Sequence, residues 1–431
     1  MHDVIVIGAG ISGLACAYGL RKRGFDVLVL ESSDRIGGVI RSVRIDGYLV
    51  EAGPNSFAPT PHCLQLLDEL DLGKDLLRAN PKNPRFVLLN GRLRKVPFGV
   101  LTLAGAARAL AEPFIRSKAS EDESIADFFR RRFGTEVHDR LVAPFVTGVY
   151  AGDTRRLSVE ASFPRVVELE RRYGSVMLGM LRDRRKRPDG RPGAAPAAGR
   201  ISSFAAGMET LPQRLAADLR VQLNVSGIRI GKDVEARATV LAVPAHRAAE
   251  IVEGASPDLA RMLASIEYEP VVVAATSFAV ESFSRPLCGF GFLTPPSENV
   301  QILGTIFSSL LFPKRAPEGR VLLTSFLGGA RKPEVMDWPD ERVWDVVCSE
   351  LKRVLGTSLR PDPAAIFRHR RAIPQYTIGH RQRIQSLTTE LRRSCGLFVM
   401  GNFLEGVSVA ACIERGDATA QAVADFLRSK P

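Results

Sequence analysis

Apolar residues crowd the first thirty positions in a pattern whose period changes twice. Val4 to Ile7 is an unbroken apolar run, and so is Val27 to Leu30. Strands covered on both faces read this way, because neither face can be left to water. Between the runs, from about Ile11 to Arg23, the pattern is helical, and Gly24 suits the C-terminal cap. A strand–helix–strand unit with parallel strands is predicted.

Further along, leucine spacing predicts a helix from about Leu64 to Leu77. Pro84 to Pro97 is predicted as a hairpin turning at Asn90-Gly91. A helical zone spans about Leu101 to Met180, and Glu121, Asp122 and Glu123 favour a helix start near Ser124. A helix over about Glu209 to Asp218 precedes a strand from Val225 to Ile230 and a buried strand from Ala238 to Ala242. Val271 to Phe326 is strand-rich, and about Glu341 to Leu355 is helical. Strand Leu397 to Met400 leads to a last helix, roughly Val409 to Arg428. Strands from both ends are thus expected to build one sheet, with the middle inserted.

A length of 431 residues exceeds what one hydrophobic core supports, so two or three subdomains are expected. The formal charge of +12 favours acidic partners, but no aromatic interleaving suggests nucleic acid. Positive charge concentrates in RDRRKRPDGRPGAAPAAGR, Arg182 to Arg200, with seven basic and two acidic residues. This is read as a solvated linker, the sharper alternative being a polybasic contact with anionic lipid. The six cysteines are scattered, with no C-x-x-C and no cluster with His, so neither a metal site nor a disulfide framework is expected. No apolar stretch approaches the ~20 residues of a spanning helix. The chain enters a strand at once, leaving no room for a signal peptide, and a cytoplasmic location, soluble or on a membrane surface, is expected.

Gly8, Gly10 and Gly13 form G-x-G-x-x-G between the first strand and helix, and Glu31 ends the next strand. Gly8 permits the tight turn, Gly10 lets a diphosphate approach, and Gly13 lets helix and strand pack closely. The backbone of Gly8, Ala9, Gly10, Ile11, Ser12 and Gly13 is the candidate phosphate cradle, and Glu31 with Ser32 the candidate ribose site. DRIGGVIRS extends it with Gly38 and Arg41, and EAGPNSF adds Gly53, Pro54, Asn55 and Ser56. This pattern resembles flavoproteins of the amine oxidase and phytoene desaturase superfamily. GNFLEGVSVAACIERG resembles the superfamily's carboxy-terminal motif, placing Gly401, Gly406, Val407, Ser408 and Val409 at the flavin. A helix amino terminus there would stabilise the negative charge of reduced flavin. FAD is the cofactor implied.

Several segments in order, EAGPNSFAPT, PRFVLLNGRLRKVP, LVAPFVTGVYAGDTRRLS, GTIFSSLLFP, AIPQYTIGH and GNFLEGVSV, resemble the oxygen-dependent protoporphyrinogen oxidases and the related coproporphyrinogen III oxidases. The resemblance implies an α/β chain: a Rossmann-like FAD-binding domain (GR2-type, amine-oxidase-like) over 1–78, 200–255 and 392–431. A mixed-sheet substrate domain would take 79–99 and 256–391, and a helical, membrane-associated domain 100–199. It implies six-electron oxidation of a porphyrinogen, with O2 reoxidising the flavin to give H2O2. Hydride leaves a carbon toward flavin N5, so no catalytic acid or base is named. Arg85 would pair a propionate, Phe307 and Leu287 would sandwich a pyrrole, and the Gly148 carbonyl would face pyrrole N–H groups. The backbone of Val225 would meet the adenine, although the chain is shorter than its family between Asn224 and Val243. Protoporphyrinogen IX is placed first, with coproporphyrinogen III as alternative; an amine oxidase, a desaturase or a flavin-less carrier are the rivals. Peripheral attachment to an anionic membrane is implied; a homodimer is one arrangement the resemblance allows.

Overall fold

The computed structural model describes residues 2–97, 99–115, 121–186, 201–233, 235–283, 286–357 and 360–429. Five parallel strands form the first sheet, in the order Leu397–Val399, Ala236–Leu241, His2–Ile7, Val27–Leu30 and Arg220–Gln222. Both chain ends contribute. Alternation sends Val4, Val6, Val27 and Val29 into a core shared with the first helix, Ile11–Lys22, and the last, Val409–Ser429. Ile5, Ile7, Leu28 and Leu30 enter a second core under helices Ala245–Val252 and Pro257–Ala264. Two covered faces explain the unbroken apolar runs.

The first and last helices touch along small residues. A Cβ on Gly416 would lie 2.7 Å from the Ala15 Cβ and 2.9 Å from the Ser12 carbonyl oxygen. Nothing larger than glycine allows that approach.

The second sheet has seven strands, ordered Asp362–Pro374, Tyr268–Ala279, Arg320–Gly328, Ile302–Ile306, Gly291–Leu293, Arg85–Leu89 and Arg92–Lys95. It is mixed: Gly291–Leu293 runs parallel to Arg85–Leu89, and the other neighbours are antiparallel. The hairpin turns at Asn90 and Gly91, with φ of 53° and 69°, as a two-residue turn requires. One face packs Leu88, Val272, Ala274 and Phe292 onto Val343, Val347 and Leu351 of helix Asp340–Leu355. The other face meets a small hairpin. There Val50, from the Ser42–Ile45/Tyr48–Glu51 hairpin, packs on Ala275, Leu322 and Ala365.

Between residues 103 and 186 the described chain is helical, including Ile125–Phe133, Ala143–Tyr150, Pro164–Tyr173 and Val176–Lys186. Ser124 caps the first of these by accepting from the Asp127 N–H, where the acidic run predicts a start. No helix among the described residues is long and apolar enough to cross a membrane.

Three expectations change. The helix expected over 64–77 runs from Pro61 to Glu69, and the chain turns at Asp71 with φ of 56°. Residues 225–230 form no strand; Val225, Ile228 and Ile230 pack on the second core, while the edge strand is Arg220–Gln222. The basic linker begins later than expected, since 182–186 continues a helix; 187–200 lies outside the described residues.

Candidate active site

The turn at Gly8 has φ of 109°, in the region glycine favours. A Cβ on Gly13 would stand 2.0 Å from the Gly8 carbonyl oxygen, so the helix is seated directly on the strand end. Gly10 differs. It caps the first helix at φ −73°, and a Cβ there would meet nothing within 4 Å. No side chain caps this helix and its first turn holds no acid, so the orphan N–H groups around Ile11, Ser12 and Gly13 face an open cradle. Glu31 flanks it: one carboxylate oxygen accepts from the Ala9 N–H at 2.8 Å, the other from the Ser33 N–H at 2.9 Å and the Ser32 hydroxyl at 3.3 Å. The Val225 N–H donates to the Glu31 carbonyl at 2.9 Å, so Val225 reaches this corner from a loop.

A track leads away from the cradle. The Gly37 N–H donates to the Ala9 carbonyl at 2.8 Å, and a Cβ on Gly38 would touch the Gly10 Cα at 3.2 Å. A Cβ on Gly53 would lie 2.0 Å from the Val39 carbonyl oxygen, and the Ala52 N–H donates to the Arg41 carbonyl at 2.9 Å. Arg41 itself is exposed, while Pro54 and Ser56 flank the buried Asn55. The Ser308 hydroxyl lies 3.4 Å from Asn55 Oδ1 and 2.8 Å from Thr324 Oγ1, joining the track to the seven-stranded sheet.

The carboxy-terminal motif approaches from the other side. The Met400 N–H donates to the Leu241 carbonyl at 2.9 Å, the loop passes Gly401 and Gly406, and Ser408 caps the last helix by accepting from the Ala411 N–H at 3.1 Å. Val409 is buried in the first core, and Val407 packs against the helical region beside Tyr376.

Strand register defines the facing wall. Arg85, Gly291, Ile306 and Thr324 are cross-strand partners in one row, and Val87, Leu293, Gly304 and Phe326 in another. Partners share a face, so both rows point away from helix Asp340–Leu355. Helix Ala143–Tyr150 abuts this wall where a Cβ on Gly148 would stand 2.5 Å from Leu293 Cδ2. Arg85 is half-buried, lies 5.2 Å over the Phe290 ring and pairs with no carboxylate among the described residues. Burial lowers its pKa, the signature of a cation short of a counter-charge.

The four expected substrate contacts separate. Arg85 and Gly148 border the same wall, whereas Phe307 is 0% exposed, edge-on to Phe292 in the opposite core, and Leu287 packs on that core too. This is a correction to the sandwich expectation: both side chains sit on the face closed by helix Asp340–Leu355. Leu293, Ile306 and Phe326 hold the wall positions instead. Only register distinguishes them, and a lone sequence does not supply register.

The groups present suit an extended dinucleotide: an open, uncapped helix end for a diphosphate, an acid for ribose hydroxyls, and a second helix start beyond the track. FAD would bring the hydride-accepting ring. The sequence profile of flavin containing amine oxidoreductases matches residues 11–424. Protoporphyrinogen oxidase 1, chloroplastic, of Spinacia oleracea is 34% identical, with 99% of this chain and 84% of that protein covered. Coproporphyrinogen III oxidase of Bacillus subtilis is 29% identical, with 98% and 97% covered. The crystal structure of a candidate protoporphyrinogen oxidase from Exiguobacterium sp. 255-15 superposes with a TM-score of 0.81 at 24% identity, covering 97% of this chain and 98% of that one. The chain therefore belongs to the flavin containing amine oxidoreductase family and is an FAD-dependent oxidoreductase.

Proposed function

We propose that the chain is an oxygen-dependent porphyrinogen oxidase of haem biosynthesis, acting first on protoporphyrinogen IX. One observation carries the reading: 34% identity to the spinach protoporphyrinogen oxidase across 99% of the chain, extending through the substrate-facing sheet. The amine oxidoreductase match alone would leave an amine as substrate.

In this reading the Gly8–Gly13 turn, Glu31, Ser32, Gly38, Arg41 and the Gly53–Ser56 segment hold the dinucleotide, with Val225 at the adenine. Gly401 and Gly406–Val409 border the ring. Arg85 pairs a propionate through its bidentate fork. Leu293, Ile306 and Phe326 give the macrocycle an apolar wall, and Gly148 leaves room for a carbonyl to face the pyrrole N–H groups. The protein's work is to orient a carbon and exclude water. A second reading, coproporphyrinogen III, is favoured by the 29% identical Bacillus subtilis relative and by the net charge of +12, which suits extra carboxylates.

Turnover of both porphyrinogens in air tests this, followed by porphyrin fluorescence and H2O2 release. A higher kcat/KM for protoporphyrinogen IX is expected. Porphyrin formation no faster than autoxidation with both substrates would end the proposal.

The helical region is proposed to rest on an anionic membrane surface. Leu103 and Phe114 are 92% and 83% exposed, and Leu110 lies on the same segment. Vesicles containing phosphatidylglycerol should sediment the wild type and release a Leu103→Ser/Phe114→Ser variant; equal sedimentation of both would remove this part.

A further inference from the structure

We infer that His380 is a positioning residue for the flavin ring, acting through the loop from Gly401 to Ser408. The inference rests on the reading that this loop borders the ring, and not on the choice of substrate.

His380 opens the helix His380–Leu391 and is 2% exposed. Its Nε2 lies 3.3 Å from the Leu404 carbonyl oxygen. A carbonyl only accepts, so Nε2 carries the proton and Nδ1 is left as a bare lone pair. Nδ1 has no hydrogen-bond partner among the described residues. Burial pushes the imidazole pKa down to about 4, which keeps the ring uncharged at neutral pH. The ring stacks on Tyr376, with centroids 4.4 Å apart and planes 20° off parallel. The Tyr376 hydroxyl in turn donates to the Asn402 carbonyl.

Two stacked rings from one segment therefore hold two carbonyls of the loop, at Asn402 and Leu404. In a trans peptide the N–H points opposite to the carbonyl. Fixing these carbonyls fixes two peptide planes, and with them the directions of the Phe403 and Glu405 N–H groups. These are dipoles of the loop that leads into the last helix. Their orientation sets the local field for a charge that develops on a neighbouring ring.

The ring pair is itself held from the helical region. The Gly379 N–H, immediately before His380, donates to the Asp122 carboxylate, which also accepts from the Ser158 hydroxyl. Packing alone does not call for histidine here: a leucine would fill the space and remove the unmatched Nδ1, but it would leave the Leu404 carbonyl without this donor. The donor at Nε2 is what the site uses.

The test uses the holoenzyme and reads the two-electron flavin midpoint potential and the FAD dissociation constant, with no substrate present. His380→Leu is expected to shift the reduced-to-oxidised ratio about tenfold against reduced flavin, ~30 mV for a two-electron couple. His380→Gln, whose amide N–H can reach the same carbonyl, should stay within about twofold of wild type. Tyr376→Phe keeps the stack, loses one anchor and should move in the direction of His380→Leu. If His380→Leu does not fold, Tyr376→Phe decides, and an unshifted potential there overturns the inference. Val407→Glu is the control for ring placement, since an acid beside the ring disfavours the reduced form. A shift with Val407→Glu and none with His380→Leu or Tyr376→Phe overturns the positioning role alone. No shift with any of the three overturns the placement of the ring as well.

Discussion

Glu51 and Arg315 meet at 2.6 Å with 3% and 2% of their side chains exposed. Glu51 ends a strand of the hairpin beside the track, and Arg315 lies between two strands of the large sheet. The Glu51 carboxylate also accepts from the Ser42 hydroxyl at 2.6 Å and the Met208 N–H at 2.9 Å. Arg315 donates to the Ser203 hydroxyl at 2.6 Å and lies 5.7 Å over the Phe312 ring. Segments far apart in sequence are pinned just where the chain enters Ala52 to Asn55.

A buried pair is costly to break because one charge is left behind. Arg315→Met should destabilise the holoenzyme by ~3–5 kcal/mol in urea unfolding. Glu51→Gln with Arg315→Met should recover much of that loss. An Arg315→Met protein as stable as wild type would show that the pair does not hold the hairpin to the large sheet.

Gly10 and Gly13 should behave oppositely. Space around Gly10 is open and its φ is ordinary, so Gly10→Val should cost the apoprotein no more than ~1 kcal/mol through a poorer helix cap. FAD affinity should nevertheless fall by ~100-fold or more, about 3 kcal/mol. Gly13→Ala puts a methyl 2.0 Å from the Gly8 carbonyl oxygen. Overpacking of ~1–3 kcal/mol then outweighs the ~1 kcal/mol helix-propensity gain of alanine. Thermal melts of apoprotein, paired with FAD titrations, separate the two. Equal loss of stability in both would contradict the open cradle.

Arg85→Met should lower kcat/KM for protoporphyrinogen IX about 10–100-fold, the ~1.5–3 kcal/mol of a charged hydrogen bond. Arg85→Lys should fall between, because lysine keeps the charge and loses the fork. FAD affinity should not change. Steady-state kinetics that leave kcat/KM untouched would remove Arg85 from the substrate.

His380 also gives stability a pH dependence. Its pKa is depressed by burial to about 4 from the usual 6.5. Above pH 6.5 the ring is neutral folded or unfolded, so its contribution is complete. As pH falls from 6.5 toward 4, only the unfolded chain takes up the proton, and stability is lost by ~3 kcal/mol. The melting temperature of wild type should therefore fall relative to that of His380→Gln as pH falls through this window. Parallel curves would indicate a ring that titrates normally.

The strand–helix–strand unit, the Asn90-Gly91 hairpin and the last helix were legible because period, turn chemistry and glycine spacing are local signals. The glycine turn from Gly8 to Gly13 was legible for the same reason. Val225 to Ile230 misled because Val225, Ile228 and Ile230 face a core without pairing in a sheet. Burial alone produces strand-like composition. The wall was not legible: Phe307 and Phe326 are both apolar residues of strand-rich sequence, and only the pairing of Gly304 with Phe326 reveals which one lies on the face away from helix Asp340–Leu355. Nor could Glu51 and Arg315 be matched, since nothing in a single sequence couples positions so far apart.

Anaerobic rapid mixing of the holoenzyme with protoporphyrinogen IX, and separately with a panel of amines, tests the central claim most directly. Loss of the oxidised-flavin absorbance with the porphyrinogen, and none with the amines, is the predicted result. Bleaching by amines alone would contradict the account.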